Sequence, residues 1–207
     1  MYRRKLRHSR VKSLYKFASF KTGCTHIVES SLEFDACYHF EYSSQVKAFF
    51  AQPLGFTYLF DGKANPYTPD FKILSHSKKT SYIEVKPHSK TLHSDFVKKF
   101  HAKKEAAYQL GFELILITDI QIRELPALNN FKLLHRYAGF HTHSDVYDNV
   151  YDVVKKCCPI YLNAIFEFFE DNCRADVIAS ILSLIASGKI KANVREKNIN
   201  DNLLLWM

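Results

Sequence analysis

The chain has 207 residues, of which 47% are hydrophobic and 14% aromatic, and its formal net charge is +8. This composition predicts a packed core in one large or two modest domains and argues against disorder or a fibrous structure. No apolar run approaches the ~20 residues of a membrane span, and the charged amino terminus lacks the apolar segment of a signal peptide, so a cytoplasmic protein is expected. The cysteines form no paired C-x-x-C motif, which disfavours a disulfide framework or a zinc site.

The positive charge is concentrated at the amino terminus. Residues 1–21 carry eight basic side chains and no acidic one, which accounts for the whole excess of +8. Because Tyr15, Phe17 and Phe20 are interleaved with these charges, the pattern predicts a basic arm over residues 1–28 that binds nucleic acid. A solubilising tail is the alternative. The candidate DNA-binding residues are Arg3, Arg4, Lys5, Arg7, Arg10, Lys12 and Lys16.

A helix is predicted to begin at Ser30 or Ser31. Either serine can cap the helix, and Glu33 then falls in the first turn, where a carboxylate suits the helix dipole. Glu33 lies beside the apolar face that should pack on a sheet, which makes it a candidate third carboxylate of a metal site. The simpler interpretation gives Glu33 a role at the helix start only.

The runs 67–74 and 80–86 alternate between apolar and polar residues and flank a polar turn, which predicts a β-hairpin. If the turn is centred near Ser77, Asp70 lies opposite Glu84 and both point to one face. Lys86 shares that face because strand side chains repeat every two residues. Two carboxylates and an amine at one end of a sheet suit Mg²⁺ binding and phosphodiester hydrolysis. The simpler interpretation is the solvated face of a strand.

Other elements are predicted around this hairpin. Apolar runs at 46–53 and 56–60 predict strands, followed by a turn over 61–66. A long helix from Ser94 to a stop at Gly111, with its lysines on the outer face, leads into a strand at 112–118, so that the hairpin's second strand, helix and strand form a βαβ crossover. A further helix is expected from Asp119 to about Tyr137.

The pattern breaks around residues 138–143, and the sequence predicts a domain boundary there. Beyond it we expect three helices and two strand-like runs, at about 145–156, 159–171, 174–186, 189–194 and 203–206. Helices followed by a β-hairpin predict a winged-helix domain over 141–207, behind a catalytic domain over 29–140. A small helical bundle used for protein contacts is the alternative.

Several short motifs, taken in order, resemble the TnsA family, the endonuclease subunits of heteromeric cut-and-paste transposases. The motifs are Glu29-Ser30-Ser31-Leu32-Glu33, Gln45-Val46, Gln52-Pro53, Tyr67-Thr68-Pro69-Asp70-Phe71 and Glu84-Val85-Lys86. The resemblance implies an α/β fold with a restriction-endonuclease-like PD-(D/E)xK mixed-sheet core. It implies catalytic roles for Glu33, Asp70, Glu84 and Lys86. It also implies Mg²⁺, or Mn²⁺ as a substitute, held by Glu33, Asp70, Glu84 and the backbone carbonyl of Val85.

The resemblance further implies hydrolysis of phosphodiesters at the 5′ ends of a transposon, on the non-transferred strands. The substrate would be double-stranded DNA at the transposon ends. The implied partners are a TnsB-like DDE transposase, which cuts and joins the 3′ ends, and a TnsC-like AAA+ ATPase, which contacts the carboxy-terminal part. The alternatives are a stand-alone restriction or repair nuclease and a non-catalytic DNA-binding adaptor.

Overall fold

A computed structural model of the protein describes residues 13–139, 145–169 and 174–207. The chain divides into two compact units, Met1–Arg123 and Glu124–Met207. No helix within the described ranges is long and apolar enough to cross a membrane. The elements of the first unit are β1 (Tyr15–Ser19), β2 (Cys24–Val28), α1 (Ser31–Tyr42), β3 (Val46–Ala51), β4 (Phe56–Phe60), β5 (Lys63–Tyr67), β6 (Phe71–Ser75), β7 (Thr80–Lys86), α2 (His88–Thr91), α3 (Ser94–Gln109), β8 (Glu113–Thr118) and α4 (Asp119–Ile122).

A four-stranded mixed sheet lies at the centre of the first unit, in the strand order β3-β6-β7-β8. The predicted hairpin is confirmed, since β6 and β7 pair antiparallel with Phe71 opposite Ile83. The predicted crossover is also confirmed, because β7 and β8 are parallel neighbours in the sheet and α3 lies between them in the sequence. The mixed α/β fold expected from the sequence is therefore present.

The side chains of β7 alternate between two apolar clusters. Ile83 and Val85 pack in the cluster that contains α1 and the β1–β2 hairpin. Tyr82 packs in the other cluster, with side chains from β4, β5 and α3. Because strand side chains alternate, Glu84 and Lys86 face the same side as Tyr82, toward α3.

The turn expected over residues 61–66 is shorter in the structure. Asp61 and Gly62 both have positive φ, at 50° and 71°, which is typical of a two-residue hairpin loop. Pairing of β4 with β5 resumes at once, with Phe60 opposite Lys63 and Pro66 opposite Thr57. The β4–β5 ribbon therefore continues up to Tyr67, directly before the segment that carries Asp70.

The segment from Tyr15 to Val28 is part of the folded core, so the prediction of a basic arm over residues 1–28 is wrong for this part. Strands β1 and β2 form an antiparallel hairpin. Phe17 is only 1% exposed, and its ring contacts the rings of Phe34 and Phe49.

Of the candidate DNA-binding residues, Lys16 lies exposed on β1, and its binding to DNA stays a prediction. The others, Arg3, Arg4, Lys5, Arg7, Arg10 and Lys12, lie outside the described residues.

Lys21 has a structural role instead of a place on a basic arm. Its ammonium donates hydrogen bonds of 2.8, 2.7 and 2.9 Å to the carbonyl oxygens of Phe40, Ser43 and Val46. These carbonyls lie at and beyond the carboxyl end of α1, where backbone acceptors lack partners within the helix. Burial, opposed by the charge of Glu41, lowers the pKa of Lys21 to about 8.

Replacing Phe17 with alanine tests whether this hairpin belongs to the core. Removing a fully buried ring leaves a cavity and is expected to cost about 3–5 kcal/mol of unfolding free energy. Chemical denaturation of the two proteins measures the difference. Replacement of the exposed Phe20 in the turn is the matched control and should cost far less. An unchanged unfolding free energy for Phe17→Ala would place the segment outside the core.

The second unit combines helices with a small sheet. Its elements are α5 (Ala127–Tyr137), α6 (Asp145–Cys157), β9 (Ile160–Tyr161), α7 (Leu162–Ile165), α8 (Arg174–Ala186), β10 (Lys191–Ala192) and β11 (Leu204–Trp206). The three strands form one antiparallel sheet in the order β10-β11-β9. The prediction of a single helix over 159–171 is wrong, because this stretch contains a strand, a short helix and a 3₁₀ turn at Phe166–Phe168.

The division between the two units falls earlier in the chain than residue 140, near which the sequence predicted a domain boundary. The single helix expected from Asp119 to Tyr137 is divided into α4 and α5, and the division between units falls at Arg123–Glu124, in the connection between them. Helix α5 therefore belongs to the second unit, where it packs against α8.

Candidate active site

Asp70 lies directly before β6, where the chain enters the antiparallel pair with β7. Its backbone N–H donates to the carbonyl of Ile83 (3.0 Å), and its Oδ2 accepts a hydrogen bond from the N–H of Val85 (2.7 Å). The ladder of paired residues ends with Phe71 opposite Ile83, one residue after Asp70 in the chain. Asp70 is therefore anchored by the backbone of the neighbouring strand, and it lines the same cleft as Glu84. The direct opposition of the two carboxylates stays a prediction.

The Glu84 carboxylate is enclosed by cations and a phenol. Its side chain is only 3% exposed. Oε1 lies 3.4 Å from Nζ of Lys86 and 3.5 Å from Nζ of Lys103, which comes from α3. The hydroxyl of Tyr67 donates a short hydrogen bond to Oε2. Both oxygens of Glu84 are thus engaged by groups of this chain.

Glu33 caps its own helix and also lines the site. The Ser30 hydroxyl accepts from the N–H of Glu33 (3.1 Å) and donates to Glu33 Oε1 (2.7 Å). Oε2 of Glu33 accepts from the N–H of Glu29 (3.1 Å), and the predicted helix start is confirmed with Ser30 as the N-cap residue. The buried Glu33 side chain lines one cleft together with Asp70 and Lys86. Glu33 therefore stabilises the start of its helix and also lines the cleft that Asp70 lines.

Two clefts meet at Asp70 and Lys86. The first, of about 620 Å³, extends toward the amino end of α1, and the second, of about 380 Å³, extends toward α3. The first cleft is lined by residues that include Glu33, Asp70, Val85, Lys86, Lys90 and Arg123. The second is lined by Pro66, Tyr67, Thr68, Asp70, Glu84, Lys86 and Lys103. The four predicted catalytic residues therefore border two clefts that share Asp70 and Lys86.

Residues 43–119 match the family model of the TnsA-like endonuclease N-terminal domain. The chain therefore contains a TnsA-like endonuclease N-terminal domain. The resemblance that the sequence motifs indicated is confirmed, and no curated protein matches the chain. The matched segment runs from just before β3 through β8 and contains Asp70, Glu84 and Lys86. Glu33, on α1, precedes it.

Burial and neighbouring carboxylates disfavour the charged form of Asp70 in this TnsA-like domain. The pKa of Asp70 is raised to about 7. Burial is the largest cause, and the charges of Glu84 and Glu33 add to it, whereas Lys86 and the Val85 N–H act in the opposite direction. For Lys86, burial lowers the pKa, but Glu84, Asp70 and Glu33 together outweigh it and the net shift is upward. A carboxylate whose ionisation is disfavoured by its acidic neighbours is suited to bind a cation.

The TnsA family implies Mg²⁺, and the residues around Asp70 fit such an ion. Mg²⁺ is usually bound through one or two carboxylates, with water and substrate phosphate completing its octahedral shell. Asp70 and Glu33 provide two carboxylates on one cleft. Within the described residues, no three His, Cys, Asp or Glu side chains are grouped to hold a metal. The full predicted set of Glu33, Asp70, Glu84 and the Val85 carbonyl stays a prediction.

Asp70 is expected to make the stability of the metal-free protein depend on pH. Its carboxyl has a pKa of about 7 when folded, against an ordinary value of 3.8. The folded state therefore binds this proton more tightly, and the stabilisation is complete below pH 3.8 and is lost as the pH rises through about 7. In the presence of a chelator, the melting temperature of wild type should fall more over this range than that of Asp70→Asn. Parallel curves would contradict the assignment.

Sequence reasoning missed two residues that contact Glu84. Lys103 was expected on the outer face of its helix, and Tyr67 was treated only as the start of a strand. A signal for Lys103 was available, because it lies four residues before the apolar and buried Ala107, and i, i+4 residues share a helix face. The ring of Tyr67 lies under the same ammonium, with Nζ of Lys103 4.1 Å from its centroid.

Proposed function

We propose that this chain is the DNA endonuclease subunit of a transposase and hydrolyses phosphodiesters at the 5′ ends of the element, on the non-transferred strands. The observation that carries the proposal is the meeting of Asp70, Glu84 and Lys86 on clefts that Glu33 also lines, inside a TnsA-like endonuclease domain. The substrate is double-stranded DNA at the transposon ends. A TnsB-like DDE transposase makes the complementary cuts.

In this proposal each residue has a distinct task. Asp70 and Glu33 would hold Mg²⁺, with Glu84 and the Val85 carbonyl as further candidate ligands, and when bound the ion would supply neutralisation of the phosphate charge. The Val85 N–H fixes the Asp70 carboxylate, and Ser30 fixes that of Glu33, so both are held in place before substrate binds. The Lys86 ammonium orients the attacking water and stabilises the negative charge that develops at phosphorus.

The second unit has the element order of a winged-helix domain, and we infer that it is one. Helix α6, β9, α7, α8 and then β10 and β11 follow one another, and the sheet order is β10-β11-β9. Helix α8, in the position of a recognition helix, is buried along Val177 and 180–185, and Arg174 is its sole basic residue. A helix that reads DNA needs exposed polar side chains. The unit therefore serves a protein contact, for which the TnsC-like AAA+ ATPase is the proposed partner.

The proposal is tested in a reconstituted excision reaction on a transposon-end DNA labelled separately on each strand. With the DDE transposase partner, wild type should add a Mg²⁺-dependent 5′ cut on the non-transferred strand, and Asp70→Asn should leave only the partner's 3′ cut. Efficient cutting by this chain alone would indicate a stand-alone nuclease. Equal 5′ cutting by wild type and Asp70→Asn would overturn the site, and no 5′ cut by either would indicate an adaptor.

A further inference from the structure

Lys103 differs from the other lysines of α3. Lys98, Lys99 and Lys104 are exposed, whereas the Lys103 side chain is only 16% exposed. Its Nζ lies over the Tyr67 ring at 4.1 Å and 6.0 Å from the centroid of Tyr58. A largely buried ammonium is unfavourable unless it is paired, and its ionic partner is Glu84, at 3.5 Å. The helix thus directs one ammonium group into the second cleft.

The two sides of Asp70 differ in how their carboxylates are compensated. On the α3 side, Glu84 Oε1 contacts both Lys86 and Lys103, and Tyr67 engages Oε2. On the α1 side, the described structure gives Glu33 no ion pair, and its carboxylate accepts only from the Ser30 hydroxyl and the Glu29 N–H. Arg123 borders this cleft, but its guanidinium is directed to Asp35, at 3.2 Å. Uncompensated carboxylate charge is therefore concentrated on the Glu33 side.

We propose that the Lys103 ammonium is a built-in cation of this centre, which takes the place on the Glu84 side that a second divalent ion would need. The centre then binds a single divalent ion, on the Glu33 side of Asp70. Like charges repel at short distance, so an ion on Glu84 would have to displace ammonium groups that already contact its oxygen. The inference rests on the proposed nuclease function and assigns Lys103 as a positioning residue that acts through Glu84.

Counting bound Mn²⁺ tests this inference without measuring activity. Electron paramagnetic resonance of free Mn²⁺ gives the number of ions bound per chain in the absence of DNA. Wild type and the charge-preserving Lys103→Arg should bind one ion, and Lys103→Met should bind a second. Lys104→Met, which removes the neighbouring exposed lysine, is the matched control and should bind one. If Lys103→Met does not fold, Lys103→Gln replaces it.

The inference is overturned if wild type and the uncharged variants bind the same number of Mn²⁺ ions, or if none of them binds any. It is also overturned if wild type already binds two ions. In cleavage assays, Lys103→Met should lower kcat by about 10²-fold and make the dependence on Mg²⁺ sigmoidal, with an unchanged KM for DNA. Lys103→Arg should restore a hyperbolic dependence. If wild type does not cleave DNA, the proposed function fails, whereas the Mn²⁺ count still judges the role of Lys103.

Discussion

Replacing Asp70 with asparagine is expected to lower DNA cleavage by about 10³-fold or more, because a divalent ion contributes several kcal/mol to stabilising the transition state. Asparagine has the same shape and keeps an oxygen that can accept the hydrogen bond from the Val85 N–H, now 2.7 Å from Oδ2. It lacks the charge that binds the cation. Single-turnover cleavage of a labelled transposon end, at saturating protein and Mg²⁺, measures the loss.

Asp61→Asn is the matched control for this variant. Asp61 lies exposed in the two-residue loop between β4 and β5, with φ at 50°, a conformation that asparagine also adopts readily. The cleavage rate of Asp61→Asn should equal that of wild type.

Asp70→Asn should also keep or increase the melting temperature of the metal-free protein near neutral pH, since it removes a buried carboxylate whose ionisation is disfavoured. Full cleavage by Asp70→Asn would exclude this residue from the reaction centre.

Replacing Lys86 with methionine is expected to reduce cleavage by about 10²–10⁴-fold, the usual contribution of a positioned group that assists proton transfer or charge stabilisation. Lys86 is suited to reach a substrate because its side chain is 37% exposed while its Nζ lies 3.4 Å from Glu84 Oε1. Methionine preserves most of the side-chain length and removes the charge. Cleavage rates at saturating Mg²⁺, together with DNA affinity measured separately, distinguish a chemical defect from a binding defect.

Lys78→Met serves as the control for Lys86, since Lys78 lies exposed in the β6–β7 turn of the same hairpin, at the other end of β7. It loses the same charge, and its cleavage rate should stay close to that of wild type. If Lys86→Met and Lys78→Met cleave equally well, the ammonium of Lys86 has no part in the reaction.

The sequence was sufficient for those parts of the site that depend on local pattern. Alternation along β6 and β7 and the position of the polar turn determine the register of the hairpin, so a place for Asp70 and Glu84 on one cleft could be predicted. The serine-to-Glu33 spacing at the start of α1 likewise requires only a few consecutive residues. Lys103 could not be assigned in the same way, because its partner Glu84 lies 19 residues earlier on another element. The β4–β5 ribbon that encloses its side chain had been interpreted as a strand followed by a loop.

The amino-terminal segment was misinterpreted for a related reason. Its charge density suggested an arm, but the residues that decide its structure are Phe17 and Val28, which are buried in the first apolar cluster. The carbonyl acceptors of Lys21 lie 19 to 25 residues further along the chain. A lysine that closes the end of a distant helix has no local signature that distinguishes it from one that contacts DNA.

Anomalous diffraction from crystals soaked in Mn²⁺ tests most directly whether these residues form a metal-dependent reaction centre. The expected result is a single strong peak within about 2.5 Å of the Asp70 carboxylate, in the cleft that Glu33 lines. Crystals of Asp70→Asn should lack it. Mn²⁺ bound only at positions remote from Asp70, in crystals of wild type, would contradict the centre proposed for this protein.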